Sequence, residues 1–558
     1  MKTFLLIIIF SLLLSTVSFS NPGDTTVVQT FTFKDITKRR GTFQFPDDGK
    51  RYAKIIMVRT LKCDSATTQD QYPCGEWDYT TNTLVYVPRF SGDTIKEIYE
   101  LENFVTPYGK RLDLNGDAGW SFIYDVTDYA PLLKGTVDIS SGNQQELLDM
   151  KFYFIEGTPP RDVIGIENIY PWGMYKYGDL SDGKIFKYKD IVLRSDAKGY
   201  KLKARITGHR EVGAYACCEW NCKSHKYTWG NNEFREVIAY WTVWKECGRN
   251  PIFPQGGTWQ FNRGGWCPGS SAQTFEFDIS DKFNPGDTIT NFYYEIEPYS
   301  NPVEKQGDFV ESHQIIYYGP PNFSNDATID EIVVPNAYEG YRRDNPNCGS
   351  PRVIIKNAGS NLLQSLKITY GLANGTKSEY IWHGQLRFLE TQEVYLPAPD
   401  WKGMEDNPTF TVTVSEPNTM NDDNELNNSL SSRVTVPETL PGKFILHIES
   451  NNLKRAQENA WTIFDGNGKI YFSRPELQDS TIYNDEISLE NGCYTFLMTD
   501  KQKDGMIQHW WERNGHPDRI GISGKIKILS IEGDTLKTLP ADFGTELRYT
   551  FKIGDIYK

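Results

Sequence analysis

Alternating apolar and polar positions recur along the chain. The stretches "YAKIIMVRTLKC" (52–63), "TNTLVYVP" (81–88), "ATIDEIVVP" (327–335), "PTFTVTVSE" (408–416) and "GKIKILSIEGDTLKTL" (524–539) switch character about every second residue, as a strand with one buried face must. Turn sequences such as "DGNGK" (465–469) separate them, with Asp, Asn and Gly types that tolerate tight reversals. Long runs at helical period are scarce. The pattern predicts an all-β protein, and strands that each bury one face predict sheets stacked as sandwiches.

One segment departs from this pattern. Met1 to Ser20, "MKTFLLIIIFSLLLSTVSFS", has a basic start at Lys2, an apolar stretch from Phe4 to Leu14, and small residues at Ser18 and Ser20, the features of a secretory signal peptide. The apolar run is short for a membrane span, no later segment is long and apolar, and no cysteine stands at the cleavage point to take a lipid. The expectation is an exported, soluble monomer in the periplasm, on the outer surface or in the medium. Cleavage removes one of the 59 Lys and Arg residues and none of the 73 Asp and Glu, taking the formal charge from −14 to −15. An acidic surface of this size argues against nucleic acid or an anionic membrane as partner. The 558 residues suggest three to five domains, and 14% aromatic content fits β structure.

Cysteine usage sharpens the picture. Seven of nine cysteines fall before residue 270, as Cys63/Cys74, Cys217/Cys218/Cys222 and Cys247/Cys267, while Cys348 and Cys493 stand apart. In an exported chain such pairs read as disulfides: Cys63–Cys74, Cys247–Cys267, and Cys222 with Cys217 or Cys218. Cys348 and Cys493 either bridge the last two modules or stay reduced. The seven histidines never form an H-x-H or H-x-x-x-H pair, so neither a metal nor another cofactor is expected.

Each stapled loop presents a tryptophan beside formal charge: Glu76 and Asp78 around Trp77, Glu219 before Trp220, and Arg263 before Trp266. Indole faces with carboxylates and a guanidinium suit a cleft for sugars or glycopeptides, since aromatic rings stack on pyranose faces and charged groups take hydroxyls and amides.

The motifs "CGEWD" with the following "LVYV", then "ENFVTPYG", "DVTDYAPLLKG", "FIEGTPPR", "CCEWNC" and "NRGGWCPG" resemble, in that order, the bacterial peptide:N-glycosidase F family over about residues 28 to 320. The resemblance implies two adjacent eight-stranded antiparallel jelly rolls, residues 21–160 and 161–322, with the active site in the cleft between them. It implies hydrolysis of the amide joining an N-glycan to asparagine in glycoproteins or glycopeptides, leaving aspartate and a glycosylamine. On this basis Asp78 and Glu219 are the catalytic acids, while Arg263, Trp220, Trp266, Glu76 and His209 bind or flank the substrate. Two features depart from the family. Its third cleft glutamate falls near Gly142, where only Glu146 or Asp138 could substitute, and an extra Asn221 and an extra cysteine alter the loop carrying Glu219. The alternative is therefore a glycan-binding protein that keeps the cleft without turnover.

Beyond "GPPNFSNDA" (319–327), residues 327–437 resemble an immunoglobulin-like adhesion module, ending in "NTMNDDNELNNSLSSRVTVP". Its Asp422, Asp423 and Glu425 read as a solvated turn in preference to a calcium site. Residues 440–558, with "NGCYTFLMTD", resemble a small β-domain near the C-termini of exported bacterial enzymes. Both modules read as spacers or docking units.

Overall fold

The computed structural model describes residues 24–34, 39–47, 49–66, 71–89, 94–142, 145–212, 217–231, 233–255, 261–298, 307–405, 409–509 and 521–557, without the side chains of residues 211, 212 and 217. The expected signal segment lies outside the described residues. The all-β expectation is met: antiparallel sheets account for the architecture, with one short parallel pairing between Glu438–Leu440 and the end of Glu546–Ile553.

In the first jelly roll one sheet runs in the order Thr25–Gln29, Leu147–Glu156, Tyr52–Lys62 and Trp120–Asp125. The facing sheet runs Lys96–Val105, Thr80–Pro88, Thr136–Ser141 and Arg40–Gln44. Between them lies a core that includes Met57, Val85, Phe104, Phe152 and Phe154. The second jelly roll pairs the sheet Lys189–Val192, Thr288–Ile296, Lys223–Gly230, Arg235–Val243 with the sheet Thr274–Asp278, Gly199–His209, Asp308–Pro321, Arg161–Lys176.

Asp308–Pro321 shows how the two units join. It is buried on both faces over residues 308–319, so its period of two divides side chains between two cores. Phe309, Ile315 and Tyr317 enter the core of the second unit, while Ile316 and Tyr318 pack into that of the first. The neighbouring strand Gly199–His209 divides likewise. Tyr200, Leu202, Ala204 and Ile206 point into their own sandwich. Lys203, Arg205 and Thr207 meet the first: Lys203 Nζ lies 2.7 Å from Asp128, Arg205 donates to Glu100 at 3.1 Å, and Asn103 donates to Thr207 at 3.2 Å. Although burial opposes ionisation, the Lys203 and Lys201 ammonium groups and the Tyr318 hydroxyl hold the Asp128 carboxyl well below the usual range. Paired charges therefore fix the rotation of one jelly roll against the other. Ser270–Ser271 adds to the first unit's sheet beside Lys96–Val105, tying a loop of the second unit to the first.

Further cores follow, one around Ile355, Leu366, Tyr370, Trp382 and Val412, the other around Phe444, Ile448, Trp461, Phe496 and Ile526. A Cys348–Cys493 disulfide bridges the segments that bear them. The Asp423 carboxylate accepts the Ser324 and Asn325 amides, each at 2.8 Å, and Asp422 accepts that of Ala327 at 3.1 Å. These acids thus clamp the chain where it leaves the second jelly roll. The later modules also dock back: Arg343 donates to the carbonyls of Asn250, Phe543 and Glu546, the Thr545 amide donates to Gly248 at 3.0 Å, and Lys503 pairs with Glu246.

The cysteine pattern holds in part. Cys63–Cys74 and Cys247–Cys267 are disulfides. The expected pairing of Cys222 with Cys217 or Cys218 does not form: Cys222 is a free thiol and Cys218 is disulfide-bonded. Cys218 closes a two-residue strand against Glu211–Val212, whereas Cys222 has already turned into the strand Lys223–Gly230, so the loop bearing Glu219 is not stapled at that end.

Candidate active site

Three loops converge at one edge of the junction between the jelly rolls. The Cys63–Cys74 disulfide and Gly75, at φ +83°, turn the chain so that Asp78 sits two residues before Thr80–Pro88. The Thr106 hydroxyl accepts the Tyr79 amide at 2.8 Å, and the Thr106 amide returns to the Tyr79 carbonyl at 3.0 Å, which fixes that approach.

The opposite wall depends on close backbone packing. Gly264 donates to the Glu219 carbonyl at 2.7 Å, and Gly208 donates to the Gly264 carbonyl at 2.8 Å. A Cβ on Gly265 would stand 2.3 Å from the Ile206 carbonyl oxygen, and φ there is +85°; a Cβ on Gly208 would stand 2.2 Å from that of Cys218. Only glycine fits at either position. The Arg-Gly-Gly-Trp sequence therefore brings Arg263 and Glu219 side by side.

Arg263 is the hub. Its Nη1 donates to Asp78 Oδ2 at 3.0 Å and its Nε lies 3.6 Å from Glu219 Oε1. The guanidinium carbon sits 4.4 Å from each of the Trp220 and Trp266 rings. Its side chain is 1% exposed, against 21% for Asp78 and 20% for Glu219. A charge so sheltered must be paired, and two carboxylates on a planar fork between two indoles meet that need. The acids keep an open side.

Around this cluster, Trp266 donates its indole N–H to the Gly208 carbonyl at 2.7 Å and stacks on His209, centroids 5.5 Å apart. His209 hydrogen-bonds Thr207 Oγ1 at 2.7 Å and lies 3.3 Å from Thr80 Oγ1. Burial, helped by the Arg263 charge, holds its imidazole down to about 4, so it is neutral at physiological pH. Phe261 meets Trp220 edge to face at 6.2 Å.

The structure thus brings Asp78, Glu219, Arg263, Trp220, Trp266 and His209 together. Glu76 is half-buried and forms no hydrogen bond or ion pair among the described residues. Trp77 is 60% exposed beside it. Phe261, Thr80 and Thr207 were not singled out from sequence; Phe261 immediately precedes the NRGGWCPG motif, which could have flagged it, but hydroxyls facing a histidine across two strands leave no sequence signal.

The missing third acid has a steric cause. A Cβ on Gly142 would stand 2.5 Å from Thr81 Oγ1 and 2.8 Å from the Asn82 amide, so no glutamate fits there. Asp138 pairs with Arg40 at 2.8 Å and Lys96 at 2.6 Å, and the Arg40 hydrogen bond chiefly holds its carboxyl down to about 2. Glu146 is fully buried, next to Gln145, whose Oε1 meets the Trp77 amide at 3.4 Å.

Residues 176–319 match the family model described as peptide-N-glycosidase F, C terminal. The peptide-N(4)-(N-acetyl-beta-D-glucosaminyl)asparagine amidase F of Elizabethkingia miricola is 27% identical over 276 residues, covering 47% of this chain and 72% of the relative. Among solved structures, PNGase F, a glycosylasparaginase from Flavobacterium meningosepticum, aligns at 24% identity and a TM-score of 0.43, covering 53% of this chain and 96% of that one. A second structure of the amidase, at 2.2 Å resolution, aligns at 23% identity and a TM-score of 0.43 over 54% of this chain and 98% of its own.

Proposed function

Because residues 176–319 belong to the peptide-N-glycosidase F family, we propose that this chain is an exported amidase that cleaves the bond between an N-glycan and the asparagine of glycoproteins or glycopeptides. The observation that carries the reading is the Asp78–Arg263–Glu219 cluster, in which two part-open acids from loops of different jelly rolls share one buried guanidinium.

Hydrolysis of this amide adds water to the side-chain carbonyl carbon, passes through an oxyanion, and expels the glycosylamine nitrogen once it has gained a proton. Asp78 orients and activates the water. Glu219, in its carboxylic acid form, supplies the proton, while the Asp78 carboxylate takes the one that the water gives up. Arg263 is covered by Trp220 and Trp266 and reaches substrate only through the acids, so its role is to position them, not to grip the glycan as the sequence suggests. Trp77, Trp220 and Phe261 offer aromatic surface to the sugar, and neutral His209 buttresses Trp266 without adding charge. Export is supported by the Met1–Ser20 segment and by the Cys63–Cys74, Cys247–Cys267 and Cys348–Cys493 disulfides, bonds that persist outside the reducing cytoplasm.

A second reading, glycopeptide binding without turnover, draws on the crowding at Gly142, which removes one acid of the family's set and leaves Glu146 as the remaining candidate. One experiment separates the two: the purified protein is incubated with an N-glycopeptide and the peptide is read by mass spectrometry. Conversion of the glycosylated asparagine to aspartate with release of the intact glycan is expected. Binding with no conversion would sink the amidase and favour the second reading.

A further inference from the structure

The C-terminal unit carries a cluster that the amidase reading does not use. Glu458 immediately precedes the strand Asn459–Asp465, and Asp500 ends Gly492–Asp500; these strands are paired, Asn459 opposite Asp500. Asp504 lies on the loop that follows, where Gly505, at φ +66°, turns the chain. One oxygen from each of the three carboxylates lies within 4.8 Å of the others.

The burial of these groups is the second observation. Asp500 is 4% exposed, and although its Oδ1 accepts the Asp504 amide at 3.2 Å, its Oδ2 is sealed from solvent with no hydrogen-bond partner among the described residues. Glu458 Oε2 and Asp504 Oδ1 are sealed and unpartnered in the same way. Arg455 reaches Asp504 Oδ2 at 2.9 Å, on the other oxygen of that carboxylate from the sealed Oδ1. Acidic oxygens converging away from water demand either protons or a cation.

We propose that Glu458, Asp500 and Asp504 are the protein ligands of a divalent-cation site of the calcium class. The donors are all hard oxygens with no imidazole or thiolate among them, which disfavours zinc and copper. Calcium–oxygen distances of about 2.3–2.6 Å place ligand atoms up to roughly 5 Å apart, the spread seen here, and backbone carbonyls and water complete a coordination number of about 6–8. The site has a structural consequence. A Cβ on Gly248 would meet Lys503 and Thr545 atoms at 2.7–3.1 Å, so the loop between Asp500 and Gly505 presses on the segment stapled by Cys247–Cys267, whose far end carries Trp266. A bound cation would stiffen that docking loop. None of this depends on the amidase reading.

The test uses the full exported chain, stripped with EDTA and then titrated with calcium chloride in a calorimeter, with melting followed in parallel. Calcium is expected to raise the melting temperature by roughly 5–10 °C at large excess over Kd. Glu458→Gln and Asp504→Asn should each weaken calcium binding by roughly tenfold or more. Asp500→Asn should lose the calcium response yet melt no lower than wild type in EDTA, because it removes a buried, repelled carboxylate. Equal melting of wild type in EDTA and calcium with no heat of binding would overturn the proposal, as would undiminished binding in all three variants. A larger shift with magnesium chloride would overturn the calcium assignment. Should Asp500→Asn fail to fold, Asp504→Asn on the loop still decides the matter.

Discussion

Asp78 and Glu219 belong to different jelly rolls and meet on Arg263. Asp78→Asn and Glu219→Gln should therefore each lower turnover by about 100-fold or more while leaving the melting temperature nearly unchanged, since each keeps a polar partner for the guanidinium. Steady-state rates on a glycopeptide and a thermal melt check both halves. Arg263→Lys keeps charge but loses the fork; as a positioning change it should lower kcat far more than it raises KM, whereas a glycan-gripping arginine would show the reverse. His209 sets a pH dependence. Its folded value of about 4 lies below the unfolded 6.5, so above 6.5 the imidazole is neutral in both states and its contribution is whole; between 6.5 and about 4 the unfolded chain takes a proton that the folded one refuses. Stability should fall across that window, and His209→Gln should flatten the fall in melts recorded from pH 4 to 7.

At the scale of the element, Asp308–Pro321 exposes the limit of pattern reading. A strand buried on both faces lacks the clean alternation that marks one face as core. Its Glu311 and His313 point into the second sandwich with no exposure, where sequence would place neither. A polar network makes this tolerable: Tyr294 donates to Glu311 at 2.9 Å, His313 Nε2 lies 2.9 Å from Glu311, and Tyr227 and His225 join it at 2.6 and 2.7 Å from His313 and Tyr294. Glu311→Ala would strand these groups without water and should cost about 3 kcal/mol or more, read by chemical denaturation. A change below about 1 kcal/mol would mean that the network carries little of the stability.

For the whole molecule, the question is whether the C-terminal modules are passengers. Arg343 alone bonds to carbonyls on the Asn250 segment and on the Phe543–Glu546 turn, joining the second jelly roll to the final unit across the intervening module. Arg343→Ala leaves three carbonyls without that donor and should uncouple the halves, so that calorimetry resolves a separate, lower transition for the C-terminal part. A single undisturbed transition would show that the docking contributes little to cooperativity. Gly248, Asn250 and Phe253 of the second jelly roll are all touched from the side of these modules.

The sequence by itself determined the all-β class, the two local disulfides, and six of the residues that gather at the site, Asp78, Glu219, Arg263, Trp220, Trp266 and His209, because alternation, cysteine spacing and short motifs are local properties of the chain. It also singled out Cys348 and Cys493 as a pair that either bridge or stay reduced. Tertiary structure alone decided that they bridge, that Cys222 stays free, that Arg263 is buried under its tryptophans, and that Gly142 has no room for an acid. Those outcomes depend on how closely distant backbones approach and on which oxygens lose their water, and neither is set by the residues adjacent in sequence.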